Sequence, residues 1–322
     1  MSTDWLIKNA ELVNEGRRFH ADPCLKQGRI DTIDGDLDVR PGNRSRKRMH
    51  AWLWPLLCLS SLVGTVQAAR PRLAGIPATL SQGGLVVAHV PAGSRVSIGG
   101  KPVRVGADGT VVFGAGRDEK GPLQVGLTAP DGRHEALHIA ITPRDWPIER
   151  VNGVPPKTVN PPPAIAARIQ REQAEVTAAR GRDDGREDFL GGFIWPVQGR
   201  ISGRFGNQRV YNGEPKAPHS GMDIAVPQGT PVRAPAAGIV TFAAPDLYLT
   251  GGTVLLDHGF GLSSNFLHLS KLQVKVGQHV AKGQVIALSG MTGRATGPHL
   301  HWGFNWFGVR LDPLLLPGIK AP

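Results

Sequence analysis

Between residues 85 and 127, and again between residues 199 and 302, short β-prone runs alternate with turns marked by glycine or proline. A helix needs an uninterrupted stretch of roughly 8 to 20 residues. With 42 glycines and 27 prolines in 322 residues, such stretches are scarce. The chain is therefore predicted to be mainly β, with short strands and tight turns.

Two β regions are expected. In residues 69–145 the runs Leu85-Val86-Val87, Arg95-Val96-Ser97-Ile98, Val103-Arg104-Val105, Val111-Val112-Phe113 and Leu123-Gln124-Val125-Gly126-Leu127 are separated by turn signals such as Gly99-Gly100 and Pro130-Asp131-Gly132. This spacing suggests a small sandwich of immunoglobulin-like type. His89, His134 and His138 are scattered within it and read as strand-face or surface residues. A linker, residues 146–192, opens with stiff stretches at Val154-Pro155-Pro156 and Asn160-Pro161-Pro162-Pro163. One helix is expected at 164–180, where Ile165, Ile169, Glu172 and Val176 recur at helical spacing. Gly181 to Gly192, charged and glycine-rich, is expected to be flexible. A second, antiparallel β domain is expected at 193–316, with a tail at 317–322.

The amino-terminal segment reads differently. Ser45-Arg46-Lys47-Arg48-Met49 precedes an apolar run from Trp52 to Val66, which closes on Val66-Gln67-Ala68. This is the pattern of a secretory signal, assigned to residues 49–68, with an uncleaved anchor as the alternative. Pro55 and the short length argue against a membrane span. No stable span is expected once the signal is removed. Residues 1–38, with Leu6 to Gly16 and Gln27-Gly28-Arg29-Ile30, resemble the opening strands of a dihydroorotase-type amidohydrolase, but the resemblance ends before any metal motif. Residues 1–48 are therefore read as a misassigned or non-native extension, the alternative being a cytoplasmic one. Cys24 and Cys58 both precede residue 69, so a metal site after it must use histidine and carboxylate.

The net charge of +11 favours anionic partners. No basic helix or aromatic-basic array suited to nucleic acid is present, so no nucleic-acid role is expected.

Chemistry concentrates after residue 218. His219-Ser220-Gly221-Met222-Asp223 sets an imidazole and a carboxylate four residues apart, and His299-Leu300-His301 sets two imidazoles on one face of a strand. Neutral imidazole and carboxylate suit zinc, whose catalytic sites use three protein ligands. His268, in a separate β-prone run, is a candidate for proton transfer or oxyanion stabilisation. Each element alone is a weak signal; their combination is much stronger.

The stretch from His219 to Trp302 resembles the lysostaphin and LytM type of zinc endopeptidase. The resemblance is carried by His219 to Asp223, Gly229 to Val240, Phe266 to Ser270, Val276 to Ile286 and Thr292 to Trp302. It implies His219, Asp223 and His301 as ligands of one zinc ion, and His268 and His299 as unligated catalytic histidines. It also implies an exported, periplasmic or secreted enzyme that hydrolyses peptidoglycan peptides. The alternatives are a wall-binding or hydrolase-activating module without catalysis, and a lytic enzyme aimed at other bacteria. His258 reads as structural and His279 as exposed. Trp302 and Trp306 are assigned either to the groove or to the core. Asn207 to Pro218 reads as a polar loop leading to the first ligand.

Overall fold

The computed structural model describes residues 75–154 and 156–320, and four strands between Trp5 and Asp34. The signal segment at 49–68 lies outside the described residues. The chain forms two compact units, Met1–Gln67 and Ala68–Pro322. In the first, β1 (Trp5–Leu6), β2 (Ala10–Asn14), β3 (Arg17–Lys26) and β4 (Arg29–Asp34) form one antiparallel sheet in which β3 pairs with the other three.

The second unit opens with seven strands: β5 (Thr79–Ser81), β6 (Leu85–His89), β7 (Arg95–Ile98), β8 (Lys101–Val103), β9 (Thr110–Gly114), β10 (Leu123–Thr128) and β11 (His134–Thr142). They form a five-stranded sheet, in the order β5-β11-β10-β7-β8, and the separate pair β6-β9. Val96, Val125, Leu127 and Ile139 fill the space between. The strand β9 is buried on both faces. Val111 and Phe113 enter this small core, while the alternating Val112 enters the core of the following domain. That one strand makes the two β regions share an interface. Burying each such side chain stabilises by about 1.5–3 kcal/mol.

The segment read as linker is more structured than its prolines imply. The strand β12 (Ile148–Val151) pairs in parallel with β14 (Gln208–Tyr211), and β14 turns back onto β15 (Glu214–Pro215). The polar loop expected at 207–218 is thus largely a hairpin held by a strand from 60 residues earlier, as Ile148 pairs with Gln208. Pro156–Val159 form one helical turn, α1, between the two proline stretches. The helix α2 runs Pro163–Arg180. The segment Gly181 to Gly192 is not free either. Arg186 pairs with Asp184, Asp188 and the buried Asp257, and Phe189 is buried edge-on against Phe260, with centroids 5.4 Å apart. The apolar Phe189 and the buried carboxylate of Asp257 are what fix it.

The last domain contains β13 (Arg200–Gly203), β16 (Met222–Ala225), β17 (Pro231–Arg233), β18 (Gly238–Leu247), β19 (Gly251–Gly259), β20 (Leu262–Leu269), β21 (Lys271–Leu272), β22 (His279–Val280), β23 (Val285–Leu288), β24 (His299–Trp306) and β25 (Val309–Leu311). The main sheet runs β13-β16-β24-β20-β19-β18-β22, with β25 added to β24. Met222, Ile224, Leu300, Trp302 and Phe304 are fully buried beneath it. Trp302 is therefore core, while the half-buried Trp306 packs against both cores.

Candidate metal centre

The strands β16 and β24 are antiparallel neighbours, and their register sets Asp223 opposite His301 and Ala225 opposite His299. His219 lies just before β16. Gly221 between them is a matter of clearance: a Cβ there would meet the His301 Nε2 at 2.7 Å and the Trp302 carbonyl at 2.6 Å. Any side chain would push β16 off β24 and separate the ligand pair.

Three atoms converge. His219 Nε2 lies 3.0 Å from His301 Nδ1 and 3.0 Å from Asp223 Oδ1, and His301 Nδ1 lies 2.9 Å from Asp223 Oδ1. His219 Nδ1 donates to the Arg204 carbonyl at 3.0 Å, which leaves the Nε2 lone pair facing the cluster. A neutral His219 therefore turns an acceptor toward a carboxylate, itself acceptor-only. A cation removes that conflict. Zinc bonds of 2.0–2.1 Å place tetrahedral ligand atoms about 3.3 Å apart, close to the spacing found here. The residues present fit zinc.

Burial is the largest influence on Asp223 and pushes its carboxyl upward. Contact with the His219 and His301 rings outweighs it and holds the group well below the carboxylate range. Burial lowers His301 to about 4, against the pull of Asp223. An ionised Asp223 and a His301 whose charged form burial disfavours are the states that metal ligation would require. Arg209, not foreseen from sequence, donates from Nη2 to Asp223 Oδ2 at 2.8 Å and pairs with Glu149 at 3.3 Å. It orients the carboxylate from behind. Its only signal was its place in the polar stretch before His219.

His299 lies beside the cluster, with Nε2 3.8 Å from Asp223 Oδ1, and its ring centroid is 4.7 Å from that of His268. His268 reaches this position by an irregularity. Its neighbour Leu267 pairs with His301, so strict alternation would turn His268 to the opposite face. A bulge in β20 against β19, with His268 at φ +62°, turns the ring back into the cleft. A left-handed backbone at a non-glycine residue is costly and is characteristic of functional sites. Both histidines engage backbone carbonyls through Nδ1: His268 with Thr292 at 2.8 Å and His299 with Gly297 at 2.8 Å. Their Nε2 atoms are left as acceptors. Burial, then the neighbouring His299 and His301, lower His268 to about 3, so it is neutral at ordinary pH.

The five residues line one cleft of about 990 Å³. Its walls include Ile169, Glu172 and Val176 of α2 and Arg117 of the small β domain. The helix is held by Glu172, which accepts from the Tyr248 backbone N–H at 2.8 Å, and by Arg168, which donates to the Asp246 carbonyl at 2.7 Å. The other histidines of residues 75–320 stay outside. His258 is buried between the Ala237 carbonyl and the Ser264 hydroxyl, and His279, His89, His134 and His138 are exposed.

A β-sheet groove with a His-Asp-His cluster at its floor defines a metallopeptidase type of site. The sequence profile of peptidase family M23 matches residues 217–313, the stretch holding all five residues. A crystal structure of a Pseudomonas aeruginosa protein assigned to M23 is 35% identical, with a TM-score of 0.57 over 74% of this chain and 95% of that one. The chain belongs to peptidase family M23. An uncharacterized metalloprotease from Haemophilus influenzae is 44% identical over 154 residues, 45% of this chain and 32% of that protein. The peptidoglycan DD-endopeptidase ShyA of Vibrio cholerae is 40% identical over 146 residues, 42% of this chain and 34% of ShyA. The matches thus span about a third of these curated relatives' length. Among the described residues no helix is long and apolar enough to cross a membrane.

Proposed function

We propose that this protein is an exported zinc metalloendopeptidase that hydrolyses peptide bonds in peptidoglycan stem peptides or cross-links. The observation that carries the reading is the convergence of His219 Nε2, Asp223 Oδ1 and His301 Nδ1 within 3.0 Å of one another at the floor of a cleft. The likeness to ShyA and other relatives named as peptidoglycan endopeptidases supports the substrate.

His219, Asp223 and His301 hold the zinc. When bound, zinc supplies Lewis acidity to the scissile carbonyl and to the attacking water. The chain's own residues do the rest. His268 and His299 offer Nε2 lone pairs over the same point, and one of them accepts the proton of the attacking water. The imidazolium so formed faces the developing oxyanion and then delivers that same proton to the leaving amine, while the other ring orients the attacking water through its Nε2. The Thr292 and Gly297 carbonyls hold both rings in the tautomer this needs. The resemblance to the lysostaphin and LytM type supports a groove that holds an extended peptide by its backbone. The signal-like segment at 49–68 would deliver the protein to the periplasm or beyond.

The test is zinc-dependent release of muropeptides from isolated sacculi, with a His219→Ala control. Bound zinc without any cleavage would favour a wall-binding module instead.

A further inference from the structure

The cleft continues well past the metal centre. His301 and Asn305 occupy the same face of β24, four residues apart, or roughly 14 Å along a strand. Asn305 is the cross-strand partner of Arg310 in β25, and its Oδ1 accepts from Arg310 Nη1 at 2.7 Å. Arg180, the last residue of α2, lines the same cavity. Among the described residues Arg180 forms no hydrogen bond or ion pair, and its Nε is buried without a partner. Among the described residues Arg310 has no carboxylate partner either; its side-chain hydrogen bond is to the Asn305 amide.

Other arginines of the cleft are engaged, and Arg294, which has no carboxylate partner among the described residues, donates to the Thr158 carbonyl at 3.1 Å and lies over the Tyr211 ring. Arg117 pairs with Asp118, Glu172 with Arg168, Arg209 with Asp223 and Glu149. Burial, and then the charge of Arg310, depress Arg180 to about 9, and burial lowers Arg310 as well. Two half-buried guanidinium groups lining one cleft, without a counter-ion among the described residues, are built to receive an anion. Their planar forks suit a carboxylate.

We propose that Arg180 and Arg310 form a carboxylate-binding subsite of the substrate groove, which anchors a free carboxylate of the wall peptide several residues from the bond that is cut. The proposal rests on the peptidoglycan reading above and assigns these two arginines to substrate selection rather than to bond cleavage.

The test uses the zinc-loaded protein and the uncross-linked stem peptide of a diaminopimelate-type wall, in its free-carboxylate and fully amidated forms. Binding is measured by calorimetry, and cleavage of the cross-linked dimer is followed on the same preparations. The wild type is expected to bind the acid form at least roughly tenfold more tightly than the amide, as hydrogen bonds to charged groups imply. Arg310→Gln and Arg180→Gln should each remove most of that difference while leaving amide binding unchanged, and Arg310→Lys should recover part of it. Because Arg180 ends a surface helix, its variant carries the test if Arg310→Gln disturbs the sheet. Equal binding of acid and amide forms, equal losses for both in the variants, or no binding by the wild type overturns the subsite. Absence of zinc-dependent cleavage of the dimer overturns the peptidase reading, so the two failures are told apart.

Discussion

Asp223 and His301 stand directly opposite each other across the antiparallel pair β16-β24, with His301 Nδ1 2.9 Å from Asp223 Oδ1. The proposed ligand pair is thus a product of strand register, and His219, the proposed third ligand, lies just before β16. Groups that hold this register or aim the Asp223 carboxylate should govern metal affinity without touching the metal.

Arg209 is the clearest such group. Removing it as Arg209→Ala frees Asp223 Oδ2 and leaves Glu149 without its partner. Zinc affinity, measured by competition with a chromophoric chelator, is expected to fall by about 10–100-fold. Unchanged affinity would mean that the strand pair alone orients the carboxylate.

The two unligated histidines should separate from the ligands in their effects. His268→Ala and His299→Ala are each expected to lower kcat by roughly 10²–10⁴-fold with zinc content unchanged, whereas His219→Ala loses both metal and turnover. Loss of zinc in His268→Ala would place that residue among the ligands.

The helix α2 narrows the approach to the cleft. Glu172 fastens it to the Tyr248 backbone, so Glu172→Ala should loosen that wall. Cleavage of intact sacculi is expected to rise relative to cleavage of a small cross-linked dimer. If both rates move together, the helix does not control access.

His258 gives a stability prediction with a definite sign. Burial lowers its pKa to about 4, against an unfolded value near 6.5. Between these pH values the unfolded chain binds the extra proton, so the neutral buried ring costs stability as pH falls through this window and nothing above it. In urea unfolding of the metal-free protein, the advantage of wild type over His258→Gln should be constant above pH 7. It should shrink by about 1.4 kcal/mol per unit below pH 6.5. Asp257, raised to about 6 chiefly by burial, works in the opposite direction and is present in both proteins. A pH-independent difference would show that His258 titrates alike in the folded and unfolded chain.

The site was largely legible because its residues lie in local motifs. His219 and Asp223 share one turn and strand, and His299 and His301 share one strand face. What escaped the sequence depends on long-range pairing or on a broken rule. Arg209 reaches Asp223 because β14 is held by β12, a parallel pairing that no local pattern announces. Strict alternation would have turned His268 away from the cleft, and only the bulge restores it. The segment Gly181 to Gly192 looked mobile by composition, yet Phe189 and the Arg186–Asp257 pair fix it. The division of β9 between two cores was hidden in a run that reads simply as apolar, Val111-Val112-Phe113.

The most direct test of the central claim is muropeptide release from sacculi, followed by mass spectrometry, by zinc-loaded, chelated and zinc-restored protein. About one zinc per chain is expected, with loss of cross-linked dimers with the loaded protein, none after chelation, and recovery when zinc returns. Dimers that persist in the presence of fully zinc-loaded protein would contradict the claim.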